Sequence, residues 1–110
     1  MAESYKPTAA MAAAARRGLK MRESQTPSNR GGTSVGLARA RQLVNRTPLS
    51  LSTVKRIYSF HSRHQVDKQS KEWKDNPNSK GRQVALLWGG DAGFRWAKSI
   101  LDSLEKKKEK

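Results

Sequence analysis

Residues 51–64 read LSTVKRIYSFHSRH and carry the clearest helical pattern in this sequence. Apolar and aromatic residues recur there three and four positions apart, which places them on one face of an α-helix. These residues are Leu51, Val54, Ile57, Tyr58 and His61, and Phe60 and His64 extend the same face. Ser50 or Ser52 can cap the helix, because a serine hydroxyl accepts a hydrogen bond from a backbone N–H of the first turn. We therefore predict an amphipathic helix that ends at about His64 or Gln65.

Two further helices are predicted before this one. Residues 8–22 are rich in alanine, which has the highest helix propensity. After a polar loop, a second helix begins at a cap formed by Thr33 or Ser34 and ends near Asn45, before Pro48. Because this helix and the helix over residues 51–64 flank a Thr-Pro turn, we predict a helix-turn-helix-like pair.

The C-terminal half is less regular. Residues 66–80 are polar, and Asn-Pro-Asn at 76–78 predicts a turn. Residues 81–88 form a short apolar segment that periodicity cannot assign to helix or strand, although its surroundings favour a helix. Gly89 and Gly90 then provide a stop.

The last helix is predicted to begin at an Asp91 cap and to end near Leu104. The fold class is therefore all-α, a compact domain of four to five helices with the helix-turn-helix-like pair and flexible basic termini. We expect a single helical domain over 7–104, a flexible N-terminus at 1–6 and a flexible lysine-rich tail at 105–110. The expected core consists of Leu37, Val44, Leu51, Val54, Ile57, Phe60, Leu87, Trp88, Ala97, Ile100 and Leu101.

Charge is distributed unevenly along the 110 residues. The chain has 23 lysines and arginines against 9 acidic residues, a formal net charge of +14. No acidic residue lies between Glu23 and Asp67. A stretch that repels itself in this way is typical of proteins with a polyanionic partner.

Within the acid-free stretch, six basic residues on or beside the two predicted helices are our candidates for phosphate contact. They are Arg39, Arg41, Arg46, Lys55, Arg56 and Arg63. Arg56 and Arg63 are seven residues apart and share a helix face with Ser52 and Ser59. Guanidinium groups and hydroxyls both donate hydrogen bonds to phosphate oxygens. Few Asn or Gln side chains lie on that face, so base-specific contacts are not predicted.

Other chemistry finds little support. The chain has no cysteine, which excludes disulfides and thiolate metal sites. His61 and His64 could share a metal, but a zinc site needs three or four ligands. The alternative is one partly buried histidine and one that faces solvent and supports a phosphate contact. We expect no metal, no cofactor and no enzymatic activity, since neither an oriented nucleophile nor paired carboxylates are present.

A membrane partner is not expected, because no apolar run approaches the roughly 20 residues of a spanning helix. The alanine-rich N-terminal segment lacks the apolar core of a secretory signal, and a mitochondrial-type presequence is a weaker alternative.

Three phrases carry a resemblance to a known group of proteins. They are GGTSVGLARARQL at 31–43, LSLSTVKRIYSFHSRH at 49–64, and ALLWGGDAG at 85–93 followed by Trp96-Ala97. In order and spacing they resemble a small domain encoded by tailed bacteriophages and prophages, sometimes beside head-maturation proteases. The resemblance covers residues 11–104. It implies a viral origin and a DNA-rich environment, and it supplies no catalytic residues.

These observations together predict a phage-encoded accessory protein that binds nucleic acid, DNA more readily than RNA, with limited sequence specificity. Its expected location is the host cell cytoplasm or the virion. The alternative is an interaction module, either virion-associated or inhibiting a host protein, that binds an acidic protein surface. The oligomeric state is left open.

Overall fold

The computed structural model describes residues 4–65, 71–76 and 79–108. This part of the chain contains six α-helices and one two-stranded sheet, and the predicted all-α class is confirmed. The helices are α1 (Ala9–Glu23), α2 (Ser34–Val44), α3 (Leu51–His64), α4 (Lys71–Asp75), α5 (Lys80–Leu87) and α6 (Gly90–Lys108). The strands are β1 (Ser4–Tyr5) and β2 (Leu49–Ser50).

Side-chain hydroxyls cap the first three helices. Thr8 Oγ1 accepts a hydrogen bond from the Met11 amide at 3.2 Å and caps α1, a cap that was not predicted, although the predicted helix over 8–22 starts within one residue of α1. Thr33 caps α2, where its hydroxyl is 3.3 Å from the Gly36 amide. Ser50 rather than Ser52 caps α3. The three helix starts are confirmed, because each of these side chains satisfies an amide that the helix itself leaves unpaired.

Residues 71–76, 79 and 80 show structure that the sequence did not predict. Lys71–Asp75 form the short helix α4 inside a segment expected to be irregular. Ser79 then caps α5, and its hydroxyl lies 3.2 Å from the Arg82 amide. The ambiguous apolar segment is therefore a helix. Residues 77 and 78 of the predicted turn lie outside the described residues.

The last helix begins at Gly90, two residues before the start that an Asp91 cap predicts. Gly89 and Gly90 have φ values of 97° and 61°, which confirms them as a turn that needs glycine. Asp91 lies in the first turn of α6 and is not its cap, which corrects the prediction. The helix continues to Lys108, so residues 105–108 extend α6 and do not form a separate tail.

The N-terminal residues also belong to the fold. Ser4 pairs with Ser50, and Tyr5 with Leu49, in an antiparallel ladder between β1 and β2. The predicted flexible segment 1–6 is therefore corrected at Ser4 and Tyr5, because backbone pairing to β2 holds them beside the start of α3.

Helix α1 packs against α5, α2 and α6, whereas α3 packs mainly against α6. The approach of α1 to α5 is close: a Cβ added at Gly18 would lie 2.8 Å from the Leu86 Cβ and 2.9 Å from the Leu87 amide nitrogen. The expected helix-turn-helix-like pair is corrected, because α2 and α3 are consecutive helices that each have their main packing partner elsewhere.

The core lies where these helices meet. Its buried residues are Met11, Ala15, Ala40, Leu43, Leu49, Val54, Ile57, Leu87 and Ala97. Four expected core residues are among them, and six others pack against the cluster while partly buried: Leu37, Val44, Leu51, Trp88, Ile100 and Leu101. Phe60 is not part of this cluster, and its position is described next.

Candidate nucleic-acid interface

A groove of about 780 Å³ runs along the outer face of α3, between that helix and the side chains of α2 and Trp88. We call it the α3 groove. Its described lining consists of Val35, Arg39, Leu51, Ser52, Lys55, Arg56, Ser59, Phe60, Arg63, His64 and Trp88. The groove thus combines basic, hydroxyl and apolar side chains on one surface.

Four of the six predicted phosphate-contact residues meet in this groove. Arg39 comes from α2, and Lys55, Arg56 and Arg63 come from α3. None of the described lining residues is acidic. Because a concave basic surface concentrates the local field, the groove attracts anions more strongly than four dispersed cations would.

Hydroxyl groups accompany the cations along α3. Ser52 and Ser59 lie seven residues apart on the helix, as do Arg56 and Arg63, and all four side chains line the groove. The sequence-predicted stripe is therefore one surface in the structure. It presents hydroxyl and guanidinium donors at intervals of about two helical turns.

The other two candidates, Arg41 and Arg46, do not line the groove. Arg41 is exposed on α2, and a residue two positions from Arg39 points about 200° away around the helix axis. Arg46 has a positive φ of 50°, and its Nε donates a hydrogen bond to the Pro7 carbonyl oxygen at 2.8 Å. Both therefore lie outside the groove: Arg41 points away from it, and Arg46 ties the α2–β2 turn to the N-terminal segment.

Arg39 lies deepest of the four cations. Its Nη1 donates to Gln42 Oε1 at 2.6 Å, and its Cζ lies 5.5 Å from the Trp88 ring centroid. Its Nε is buried without a hydrogen-bond partner among the described residues. Burial, and then the nearby charge of Arg56, lower the pKa of the Arg39 guanidinium. The guanidinium stays charged all the same, so the attraction of a bound anion would offset the cost of burial and the repulsion by Arg56.

Stacked aromatic rings form the apolar floor. The Phe60 ring stacks on Trp88, with centroids 4.6 Å apart and planes at 12°, and on His64 at 4.0 Å and 28°. We call Trp88, Phe60 and His64 the aromatic column. It connects α3 to the end of α5, and it shows that Phe60 forms the groove floor, which sequence reasoning had assigned to the core.

The two histidines have different surroundings. His61 is buried, and its Nε2 donates to the Trp88 carbonyl oxygen at 2.9 Å. His64 lies at the end of the aromatic column. Among the described residues, no three His, Cys, Asp or Glu side chains are grouped closely enough to hold a metal ion. The geometry therefore gives His61 a structural role and places His64 at the groove.

Comparison with known proteins finds no matching family model, no curated relative and no similar solved structure. The resemblance to tailed-phage proteins therefore stays a prediction. In the part of the chain that the structure describes, no helix is both long and apolar enough to cross a membrane.

Proposed function

We propose that this protein binds nucleic acid through the α3 groove, with its backbone phosphates on Arg39, Lys55, Arg56 and Arg63. The observation that carries the proposal is the meeting of four cations in one groove without an acidic residue in the described lining. Phosphate contacts provide most of the affinity of proteins that bind with little sequence preference.

The lining also supports limited specificity. Arginine forks and serine hydroxyls suit phosphate oxygens. Asparagine and glutamine, which recognise adenine edges through paired hydrogen bonds, are missing from the described lining of the groove. Binding should therefore follow charge and strand geometry more than sequence.

The setting we propose is that of an accessory protein of a tailed phage, acting in the host cell cytoplasm or in the virion. Its resemblance to domains of such phages supports this setting and favours DNA over RNA. We propose a binding protein and not an enzyme, because the described lining of the groove has cations and hydroxyls but no carboxylate that could act as a base or bind magnesium.

One observation favours a second candidate, an acidic protein partner. Val35 borders the groove and is 56% exposed, an unusual position for a large apolar side chain in the described part of the chain. An acidic amphipathic helix could place apolar residues on Val35 and Leu51 and carboxylates on the groove arginines. We rank it second because the described lining of the groove holds four cations and two serine hydroxyls, whereas Val35 is its one exposed large apolar side chain.

Fluorescence anisotropy with labelled duplex DNA, single-stranded DNA and RNA of equal length, measured over a range of salt concentrations, tests the proposal. We expect affinity to fall steeply with salt, and Arg56→Glu to weaken binding about tenfold or more, since hydrogen bonds to charged groups contribute about 1.5–3 kcal/mol. Lys98→Glu, an exposed lysine on α6, is the matched control.

Absence of binding to all three nucleic acids at low salt would overturn the proposal. The second candidate would then be supported by binding of a designed acidic amphipathic peptide that is weakened by Val35→Ser. If Arg56→Glu and Lys98→Glu weakened nucleic-acid binding equally, net charge would explain the binding and the groove would not.

A further inference from the structure

A second cavity shares the lining residue His64 with the α3 groove. It has a volume of about 310 Å³ and is more enclosed than the groove. Its described lining includes Arg17, His64, Gln65, Trp73, Arg82 and Asp91. We call it the His64 pocket. Because His64 lines both cavities, a strand in the groove would pass the mouth of this pocket.

The pocket presents flat surfaces. The Arg82 Cζ lies 5.1 Å from the Trp73 ring centroid, and Arg82 Nε donates to the Trp73 carbonyl oxygen at 2.7 Å. This hydrogen bond fixes the guanidinium beside the indole. The imidazole of His64 lines the same pocket. Aromatic rings and guanidinium planes are the surfaces on which unpaired bases stack in single-strand-binding proteins.

The pocket's charge pattern differs from that of the groove. Asp91 joins Arg17 and Arg82 in the lining, so the pocket contains one carboxylate and two guanidinium groups. A carboxylate repels a phosphate but accepts hydrogen bonds from the amino groups of cytosine, adenine or guanine. The mixture of planes, donors and an acceptor suits the edge and face of a nucleobase better than it suits a phosphate.

The size of the pocket agrees with a small ring system. Its volume of about 310 Å³ is close to the lower end of small-molecule pockets, about 300–1,000 Å³. A helix or strand of a protein partner would not enter it. A base in a duplex could enter only after extrusion from the stack, which costs a few kcal/mol.

We infer that the His64 pocket holds one unpaired nucleobase of a strand whose phosphates occupy the α3 groove, and that the ligand is therefore single-stranded. This inference rests on the proposed function and specifies its ligand. His64 lines both cavities and would therefore lie next to both the proposed phosphate path and the proposed base site.

The test compares a single-stranded oligonucleotide, its duplex, and a series of single strands that carry one abasic site at successive positions. We expect the single strand to bind about tenfold more tightly than the duplex, and one abasic position to lose roughly tenfold, in line with the loss of one stacked base. A 2-aminopurine at that position should change its fluorescence on binding, whereas the same probe several nucleotides away should not.

Asp91→Asn tests the base contact directly. An amide both donates and accepts, so this variant should reduce the preference for bases with an amino group over thymine at the sensitive position. The salt dependence should not change, because the groove cations are intact. Asp102→Asn, an exposed carboxylate on α6, is the matched control, and circular dichroism checks the fold of both variants.

The outcomes separate the two proposals. If single strand and duplex bind equally and no abasic site matters, while Arg56→Glu still weakens binding, the base pocket is wrong and the groove proposal stands. If Asp91→Asn leaves base preference unchanged, the assignment of a base to this pocket is overturned. If no nucleic acid binds at low salt, the proposed function itself fails.

Discussion

Two helix faces of this protein have nearly the same composition and different chemistry. The outer face of α3 carries Lys55, Arg56 and Arg63 with two serines. A shallow surface on α6 also combines basic residues with two serines, but it includes an acidic residue: Arg95, Lys98, Ser99, Asp102, Ser103 and Lys106. The α6 surface differs from the α3 groove in two ways. It contains a carboxylate, and these α6 residues include no aromatic side chain. Basic composition alone therefore does not identify a binding site.

The two surfaces also shift the pKa of a basic residue in opposite directions. On α6, Lys98 Nζ is 3.0 Å from Asp102 Oδ2, and this hydrogen bond, together with the carboxylate charge, raises the pKa of Lys98. In the groove, burial and the charge of Arg56 lower the pKa of Arg39. The α6 cation already has its counter-charge, whereas the groove cation is destabilised by its surroundings. We therefore expect an external anion to be attracted more strongly to Arg39 than to Lys98.

Reversing two charges on the α3 face should weaken DNA binding far more than reversing two charges on the α6 face, and this is the largest effect we expect. We expect Arg56→Glu with Arg63→Glu to weaken binding to single-stranded DNA about 100-fold or more, since each lost charge-assisted contact costs about 1.5–3 kcal/mol and tenfold corresponds to about 1.4 kcal/mol. Lys98→Glu with Lys106→Glu changes the net charge equally and should weaken binding only severalfold. Anisotropy titrations of both variants measure this ratio, and equal losses would contradict a localised site.

Single alanine variants on the two faces should also differ in the salt dependence of DNA binding, although this effect is smaller than that of the charge reversals. Four groove cations on a single strand predict a slope of about −3 for the logarithm of the binding constant against the logarithm of salt concentration, at roughly −0.7 for each neutralised phosphate. Arg56→Ala should make this slope less steep by about 0.7, and Lys98→Ala should leave it unchanged. Titrations at four or more salt concentrations give the slopes, and an unchanged slope for Arg56→Ala would remove that residue from the phosphate path.

Much of the fold could be predicted from local sequence. Thr8, Thr33 and Ser50 mark helix starts because a capping hydroxyl acts within three residues. Helix α4 was missed because five residues give too short a pattern to reveal a periodicity. The end of α2 was predicted, but the packing of α2 on α1 instead of α3 depends on contacts distant in sequence.

The site could be predicted only where one helix carries it. Arg56 and Arg63 share a face because seven residues make about two turns, and the sequence shows this spacing directly. The same geometry separates Arg39 from Arg41, which the sequence analysis had grouped. Phe60 and Trp88 have the apolar character of core residues, and only the three-dimensional arrangement shows that their stacked rings form a groove floor.

Asp102→Asn should have the smallest effect on DNA affinity, and it separates binding through net charge from binding through the α3 groove. It raises the formal net charge from +14 to +15, so a protein that binds through net charge should bind more tightly. A protein that binds through the α3 groove should keep its affinity within about twofold, because the change lies outside the groove lining and screening weakens distant charges.

The Lys98–Asp102 pair stabilises the fold while Lys98 is protonated, and this contribution is lost as the pH rises through the raised pKa of Lys98. At neutral pH the pair is complete, so any stability change in Asp102→Asn should be small and independent of pH there, as thermal melts can check. A clear gain in the affinity of Asp102→Asn for DNA would mean that α6 contributes to binding, and the functional distinction between the α3 and α6 faces would then be wrong.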